Sequence, residues 1–193
     1  MPRFFFVLLL VAGLGGGPAA AQRVDVPLGA PPAGFAWQAL PASKAAVLLP
    51  VGWYYRAEGG KDTHTYCLTR EEMGETGEFD TGLSVQVVRN AKAQTRRPAA
   101  EYAELLMLRA GYGPGRQPLE KAASAEGSFR KWTVRYRESA PDAEARIVFQ
   151  MALANTKTDT LYLLTFESSE ADWPAAYKLG DVMVRELVLD SRR

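Results

Sequence analysis

Alternation of apolar and polar side chains is the dominant pattern along this chain, and it predicts a protein built mostly from β-strands. In the segment 62–70, His64, Tyr66 and Leu68 fall on one face, whereas Cys67 and the threonines fall on the other. Successive side chains of a strand point to opposite faces of a sheet. This segment is therefore predicted to be a strand.

The same alternation recurs before and after this segment, and prolines and glycines separate the runs. The short polar connection Asn155–Asp159 has a length that is common in hairpins, so the two runs beside it are predicted to pair. The predicted strands are Phe35–Leu40, Ala45–Leu49, Trp53–Ala57, Asp62–Arg70, Leu83–Val88, Phe129–Arg137, Arg146–Ala154 and Thr160–Glu167.

Two segments repeat their apolar side chains with the spacing of a helix instead. The first follows Pro98, which suits the first turn of a helix, and ends at the glycine-rich segment 111–115. The second begins near Ser169 or Asp172, with Pro174 in its first turns. Strands joined by short turns, with two helices left to cover them, predict an α+β sandwich on a largely antiparallel sheet.

The first residues have the composition of an export leader. Arg3 supplies a positive charge, the segment 4–14 is apolar, and the alanines at 19–21 match the small residues that precede a signal-peptidase cleavage site. This apolar run is shorter than the roughly twenty residues that cross a bilayer as a helix. We therefore expect residues 1–21 to be a cleaved signal peptide, leaving a soluble periplasmic or secreted protein without a stable membrane anchor.

The remainder is expected to form one domain after a short linker. Residues 22–34 carry three prolines among small residues and predict a flexible lead-in, and residues 35–190 are long enough for a single domain. Removing Arg3 with the leader lowers Lys+Arg from 23 to 22, which equals the 22 Asp+Glu. Because nucleic-acid binding usually needs a basic surface, this neutrality argues against such a partner.

Short motifs add a family resemblance to this pattern. They are Pro50-Val51-Gly52-Trp53 and Phe79-Asp80-Thr81-Gly82-Leu83, each before a strand, Leu161-Tyr162 with Thr165-Phe166 in the late strand, and Asp172-Trp173 at the last helix. Their order over the segment 35–189 resembles the PsbP/Mog1-like family, which includes exported bacterial members of unknown function. The resemblance implies an α-β-α sandwich and a non-enzymatic role in docking to a partner, and it brings no catalytic residues.

One histidine and one cysteine limit the reactions that this chain can catalyse. His64 and Cys67 are three positions apart, so the predicted strand places them on opposite faces, where they do not share a metal ion. A serine hydrolase would need His64 as its base, and the segment around Ser84 lacks the second glycine of G-x-S-x-G. We predict no enzyme, and no catalytic, cofactor-binding or metal-binding residues.

Several polar and aromatic groups leave alternatives open. The acidic loop 71–80 could supply oxygens to Ca²⁺, although it lacks the spacing of an EF-hand and is more simply a solvated turn. An aromatic cleft near Trp53 and Tyr55 could hold a small ligand. Two basic groups are either partner-facing surfaces or the charged sides of exposed segments: Lys131 with Arg135 and Arg137, and Lys92 with Arg96 and Arg97.

Other residues have an architectural interpretation. Gly82 is expected to adopt a positive φ before a strand, and Cys67 is expected to be a small buried apolar residue. The large aromatic residues expected to fill the core are Trp53, Trp132, Tyr162, Phe166 and Trp173.

The leading expectation is an exported, soluble, non-enzymatic accessory or binding module of the cell envelope, with no cofactor and with an unidentified protein partner. A protein that binds Ca²⁺ or a small ligand, through the acidic loop or the aromatic cleft, is the first alternative. An unrecognised hydrolase is the second.

Overall fold

The computed structural model describes residues 28–74, 77–141 and 143–189. The predicted signal peptide and the first part of the lead-in lie outside these residues and stay predictions. Within the described residues the elements follow one another as β1 (Phe35–Leu40), β2 (Ala45–Pro50), β3 (Tyr54–Gly59), β4 (Thr63–Thr69), β5 (Gly82–Val88), α1 (Ala91–Thr95), α2 (Ala99–Arg109), β6 (Arg116–Glu126), β7 (Phe129–Glu138), β8 (Arg146–Asn155), β9 (Thr160–Ser169) and α3 (Trp173–Arg185).

Two meanders form the main sheet. Strands β3, β4 and β5 make the first meander, and strands β6, β7, β8 and β9 make the second. The last strand of the second meander, β9, pairs with the last strand of the first, β5. The resulting order in this seven-stranded antiparallel sheet is β3-β4-β5-β9-β8-β7-β6. Helices α1 and α2 connect the two meanders. The predicted hairpin of β8 and β9 is confirmed by their antiparallel register.

Both faces of this sheet carry a core. Helix α2 packs on one face, over β7, β8 and β9. The other face is covered by α3 and by a separate hairpin of β1 and β2, and the chain after α3 is held there by paired backbone hydrogen bonds between Val188 and Ala46 at 2.9 Å. The predicted α+β sandwich on an antiparallel sheet is therefore confirmed.

Strand β9 lies between the two cores. Tyr162, Leu164 and Phe166 face the α3 side, whereas Leu161 and Leu163 pack on the α2 side. An apolar run on both faces is what a central strand requires. Of the five aromatic residues expected in the core, Tyr162 and Phe166 are buried, and Trp53, Trp132 and Trp173 pack against the core while partly exposed.

The turn between β8 and β9 also fixes the helical connection. The carboxylate of Asp159 accepts hydrogen bonds from the backbone N–H of Lys92 at 2.7 Å and from that of Ala99 at 2.8 Å. These two groups lie in the first turns of α1 and α2, where backbone donors have no partner within the helix. A single side chain thus holds both helices against the sheet.

Strand β6 was not expected from the sequence. It holds Pro118, a shift of register beside it, and residues such as Ala123 and Lys121 that are not typical of strands. It forms because β7 offers an unpaired edge. The proline, the bulge and the charged side chains are features that keep the edge of a sheet from pairing with other molecules.

The interpretation of Gly82 was wrong in its physical reason. Gly82 does not have a positive φ; it is the first residue of β5. A Cβ atom at this position would lie 2.7 Å from the carbonyl oxygen of Leu68 and 3.0 Å from the ring of Phe79. The glycine is needed because β4 and the end of the acidic loop approach it closely.

His64 lies half-buried on β4 and stacks on Tyr66, with ring centroids 6.3 Å apart. Its Nε2 atom is buried and has no hydrogen-bond partner among the described residues. Burial lowers the pKa of His64, because the charged imidazolium would lose its hydration. This environment is that of a packed, neutral histidine.

A first prediction concerns the contact between α3 and β9. A Cβ atom at Gly180 would lie 2.7 Å from the ring of the fully buried Phe166. Gly180→Ala should therefore lower the free energy of unfolding by about 1–3 kcal/mol, although the same change in an open helix raises it by about 1 kcal/mol. Urea denaturation measures this difference. Ala175→Gly, at an exposed position of α3, gives the propensity effect alone, and a stabilised Gly180→Ala variant would contradict the tight contact.

A second prediction follows from the neutral state of His64. In the unfolded chain the imidazole of His64 takes up a proton with an ordinary pKa near 6.5. In the folded chain the pKa of His64 is lower, so the proton is bound more weakly. Stability contributed by neutral His64 is therefore complete above about pH 6.5 and is lost as the pH falls toward the lower folded pKa. Since the chain has one histidine, His64→Phe should flatten this part of the profile. Denaturation midpoints measured between about pH 5 and 8 test this prediction. If the midpoints of the unmodified protein and of the His64→Phe variant change equally with pH, the prediction is wrong.

Candidate functional site

Exposed apolar side chains occur on the C-terminal part of α2 and at the start of β6, and the contact of Tyr112 with Lys121 links these two segments. We call this surface the α2–β6 patch; it consists of Leu105, Leu108, Tyr112 and Leu119. Leu108 is 60% exposed and Tyr112 is 58% exposed. Large apolar side chains that group together on a surface often mark an interaction site.

The packing of α2 determines this patch. Ala99, Ala103 and Met107 are buried against the sheet, so the helical spacing turns Leu105 and Leu108 outward. The chain then turns at Gly111, and Tyr112 comes to lie against β6, where the Nζ atom of Lys121 is 4.1 Å from the centroid of its ring. A cation over an aromatic face holds the ring in place.

A second candidate is a cavity of about 280 Å³ at the end of the sheet, which we call the sheet-end cavity. It lies where the acidic loop enters β5, beside the start of β8 and the start of α3. Its lining is polar and carries charges of both signs: Arg70, Asp80, Thr81, Glu144, Arg146, Ser169 and Asp172.

Arg70 connects the acidic loop to α3. Its Nε atom donates to Glu71 and its Nη2 atom donates to Asp172, both at 2.9 Å. These two hydrogen bonds raise the pKa of Arg70 above its usual value. The other oxygen of Glu71 accepts the backbone N–H of Thr81 at 3.0 Å, so both ends of the acidic loop are held together.

Arg146 lies deeper, with its side chain 19% exposed. Its Nη2 atom donates to the carbonyl oxygen of Asp80 at 2.7 Å and lies 3.4 Å from the carboxylate of Glu167. The Asp80 carboxylate is farther from the guanidinium, at 3.5 Å. Two buried atoms at this site have no hydrogen-bond partner among the described residues, namely Nε of Arg146 and Oγ1 of Thr81.

The contacts of the acidic loop bear on whether it could bind Ca²⁺. Glu71 and Asp80 are engaged with arginines, and residues 75 and 76 lie outside the described residues. Among the residues that the structure describes, no three His, Cys, Asp or Glu side chains are grouped so as to hold a metal ion. The Ca²⁺ alternative stays a prediction.

The residues considered for catalysis do not come together. His64 lies on the face of β4 that carries Tyr66, whereas Cys67 and its cross-strand neighbour Ser84 lie on the opposite face. Burial raises the pKa of the half-buried Cys67 thiol to about 11, so little thiolate forms at neutral pH. A hydrolase that pairs His64 with Ser84 does not fit this arrangement.

The aromatic cleft and the basic residues are weaker candidates. A shallow depression of about 210 Å³ lies beside Tyr55, bounded by Tyr54 and Met73. In the stripe on β7, Arg135 pairs with Glu120 at 3.0 Å and Arg137 pairs with Glu170 at 2.9 Å, so acidic neighbours offset most of its charge. The second basic group lies at α1, where Lys92, Arg96 and Arg97 are exposed.

Neither leading candidate was identified from the sequence. Leu105 lies in the segment predicted to be helical, but which side of α2 faces water depends on the sheet beneath it. The sequence places Thr81 in a motif before a strand and Arg146 at the start of another predicted strand. Their place in one cavity follows from the pairing of β5, β9 and β8, which brings together segments distant in sequence.

No helix within the described ranges is long and apolar enough to cross a membrane.

Similar folds occur among solved structures. No protein-family model and no curated protein matches this chain. The Ran-binding protein Mog1p of Saccharomyces cerevisiae is 18% identical, with 80% of this chain and 95% of that chain covered and a TM-score of 0.47. The cyanobacterial PsbP of Synechocystis (CyanoP) is 16% identical, with 92% and 98% covered and a TM-score of 0.49.

A further similarity is to LpqN of Mycobacterium tuberculosis, which is involved in cell envelope biogenesis. It is 11% identical, with 75% of this chain and 82% of that chain covered and a TM-score of 0.50. The similarity to LpqN concerns the fold alone. The antiparallel sheet between helices described above is the architecture that the PsbP/Mog1-like resemblance of the sequence motifs implied.

Proposed function

We propose that this protein is an exported accessory of the cell envelope that docks to another envelope protein and catalyses no reaction itself. The α2–β6 patch is the observation that carries this proposal. Leu108 and Tyr112 are more than half exposed, whereas most large apolar side chains of the described residues lie in or against the two cores. A partner that covers them removes apolar surface from water, which favours association.

The form of the patch supports a protein partner. Leu105 and Leu108 present aliphatic groups, while Tyr112 adds an aromatic ring with a polar hydroxyl, a residue type common at the centre of interfaces. Charged residues surround these groups on the same elements, among them Lys121 and Glu104. An apolar centre with a polar rim is the usual arrangement at protein interfaces.

The absence of an enzymatic role is supported by the placement of the reactive groups. The histidine is packed in a neutral state beside Tyr66, and the cysteine lies on the opposite face with a raised pKa. A nucleophile that is activated by a base needs the two groups within hydrogen-bond reach of each other, and His64 and Cys67 lie on opposite faces of β4.

Export is supported by the composition of residues 1–21, with Arg3 before an apolar run and small residues at the predicted cleavage site. LpqN, which shares the fold, is described as involved in cell envelope biogenesis, and this role fits the proposal. Residues 22–34 then lead into the single domain at 35–190.

A third prediction concerns export. When the full chain is expressed in a bacterial host with an envelope, the protein recovered from the periplasmic or secreted fraction should begin near Gln22, because the leader is removed there. N-terminal sequencing and intact mass measure this end. Replacing Leu9 and Leu10 with arginines interrupts the apolar run and should keep the chain in the cytosol. Recovery of the intact chain, with Met1, from the envelope would contradict the cleaved leader.

A fourth prediction concerns the docking surface. A photo-crosslinking residue placed at Leu108 should capture an envelope protein in vivo, whereas the same residue at Val51 should not. Val51 is 73% exposed and apolar, and it precedes β3 at the opposite edge of the sheet from β6, so it is a matched control. Mass spectrometry of the crosslinked band identifies the partner.

The variant Leu108→Asp separates docking from folding. Because Leu108 is exposed, the change should alter the free energy of unfolding by no more than about 0.5 kcal/mol, and it should remove the copurifying partner. Equal capture from Leu108 and Val51, or a Leu108→Asp protein that keeps its partner, would refute docking through the α2–β6 patch.

A further inference from the structure

Several connections between strands meet at the end of the main sheet that lies opposite the acidic loop. The strand register aligns the start of β4 with the end of β5, the start of β9 with the ends of β5 and β8, and the start of β7 with the end of β8. The carboxylate of Asp159 holds α1 and the start of α2 at this same end. We call this surface the basic end; it consists of the segments 60–62, 89–98, 127–130 and 155–159.

The basic end carries far more positive than negative charge. Its segments hold seven cationic side chains and two carboxylates, those of Asp62 and Asp159. Two further carboxylates, Glu101 and Glu126, lie at its border. The basic group of α1 is therefore part of a larger surface, whose cations are Lys61, Arg89, Lys92, Arg96, Arg97, Arg130 and Lys157. All of these except Arg89 are exposed.

The two carboxylates of the basic end are bound to neutral groups. Asp62 accepts the side-chain amides of Asn90 and Gln94 at 3.3 and 3.4 Å, and Asp159 accepts two backbone N–H groups. Among the described residues, none of the seven cations forms an ion pair with a carboxylate, whereas these arginines elsewhere do: Arg56, Arg70, Arg116, Arg135, Arg137, Arg146 and Arg185. The charge of the basic end is thus available to a molecule outside this domain.

The backbone at Arg96 supports a use for this charge. Arg96 follows the last residue of α1 with a φ of 63°, in the left-handed region. Helices commonly end with glycine in this conformation, because a side chain is strained there. An arginine at this position stands beside Arg97 in spite of that cost. Residues that keep a strained conformation are often found at functional sites.

The width of the basic end favours an extended anionic surface over a small anion. From β4 to β7 it crosses five adjacent strands, which span about 19 Å. A free phosphate ion is only a few ångströms wide, so it would contact one or two of the cations. A surface that displays many phosphate groups can contact most of them together.

The composition of the basic end favours a lipid surface over an acidic protein. None of the exposed large apolar side chains among the described residues lies in its segments. A protein interface usually has an apolar centre, whereas attraction to anionic lipids needs only cations near the headgroups. An exported protein meets the bilayers of the envelope.

We propose that the basic end binds the surface of a bilayer that contains anionic phospholipids. The acidic loop enters β5 at the opposite end of the sheet, so its carboxylates are held away from the headgroups. Leu108 lies about 14 Å along α2 from Ala99, away from the basic end, so the α2–β6 patch stays available to a protein partner. This inference rests on the proposed export for access to the envelope, and it does not rest on docking.

The first experiment is co-sedimentation of the purified full chain with two kinds of vesicle, one of phosphatidylcholine and one of equal parts phosphatidylcholine and phosphatidylglycerol. The anionic vesicles should bind it at least about tenfold more tightly, and this difference should vanish in about 1 M salt, where the screening length is about 3 Å. An apolar leader would insert into both kinds, so only the difference reports the basic end. Equal binding to both vesicles at low salt would refute the proposal.

A fifth prediction places the binding at the basic end. Replacing both Arg96 and Arg97 with glutamine should lower the affinity for anionic vesicles about 25-fold, because each cation near an anionic surface contributes about fivefold. Replacing Arg109 and Arg137 with glutamine is the matched control. It removes the same charge at the opposite end of the sheet and should lower the affinity less than about threefold. An equal loss in both double variants would mean that net charge alone decides, and the proposal would be wrong.

Two single variants separate membrane binding from folding and from docking. Arg96→Gly relieves the positive φ, so the melting temperature should not fall, while the affinity for anionic vesicles should fall about fivefold. Leu108→Asp should leave vesicle binding within about threefold, since it lies outside the basic end, even if it removes the protein partner.

Two soluble anions test the competing ligands. Polyglutamate represents an acidic protein, and inorganic phosphate represents a small anion. If either one raises the melting temperature of the full chain while the anionic vesicles do not bind it, the basic end serves that other ligand and the proposal is wrong.

Discussion

The pairing of β5 with β9 is the interaction on which the rest of this structure depends, because it joins two meanders that would otherwise each be a small sheet with two open edges. It places β9 at the centre, buried on both faces, with Phe166 under α3 and Leu161 under α2. Non-local strand pairing must overcome the entropy of closing the long connection through α1, α2 and the second meander. Strand β9 carries apolar side chains on both faces, and their burial in the two cores offsets this cost.

The same constraint decides where polar and apolar surfaces remain for binding. Helix α2 covers the second meander and leaves Leu108 outward, so the apolar surface lies near the outer edge of the sheet. At the end of the sheet, strand pairing brings the start of β5, the end of β9 and the start of β8 together, and charged side chains meet there because water still reaches that end. Arg70 and Arg146 hold this network in place.

Much of the fold could be predicted because alternation is a local property. The strands around Tyr66, Val85, Val134 and Leu164, and the helix near Trp173, lie where their periodicity indicated. Strand β6 could not be predicted, since its alanines, charges and Pro118 carry no strand pattern and its conformation comes from the edge of β7. Gly82 shows a similar limit: a glycine required by a neighbouring backbone looks, in sequence, like one required by a positive φ.

The sequence by itself determined the class of the fold, the two helices that cover the sheet, and the separation of His64 from Cys67 on opposite faces of one strand. These follow from residue spacing along a single element, so no distant contact was needed to derive them. The tertiary structure alone decided which apolar residues of α2 stay exposed and that Thr81 and Arg146 share a cavity. The physical reason is that exposure and hydrogen-bond satisfaction depend on partners dozens of residues away, which spacing does not encode.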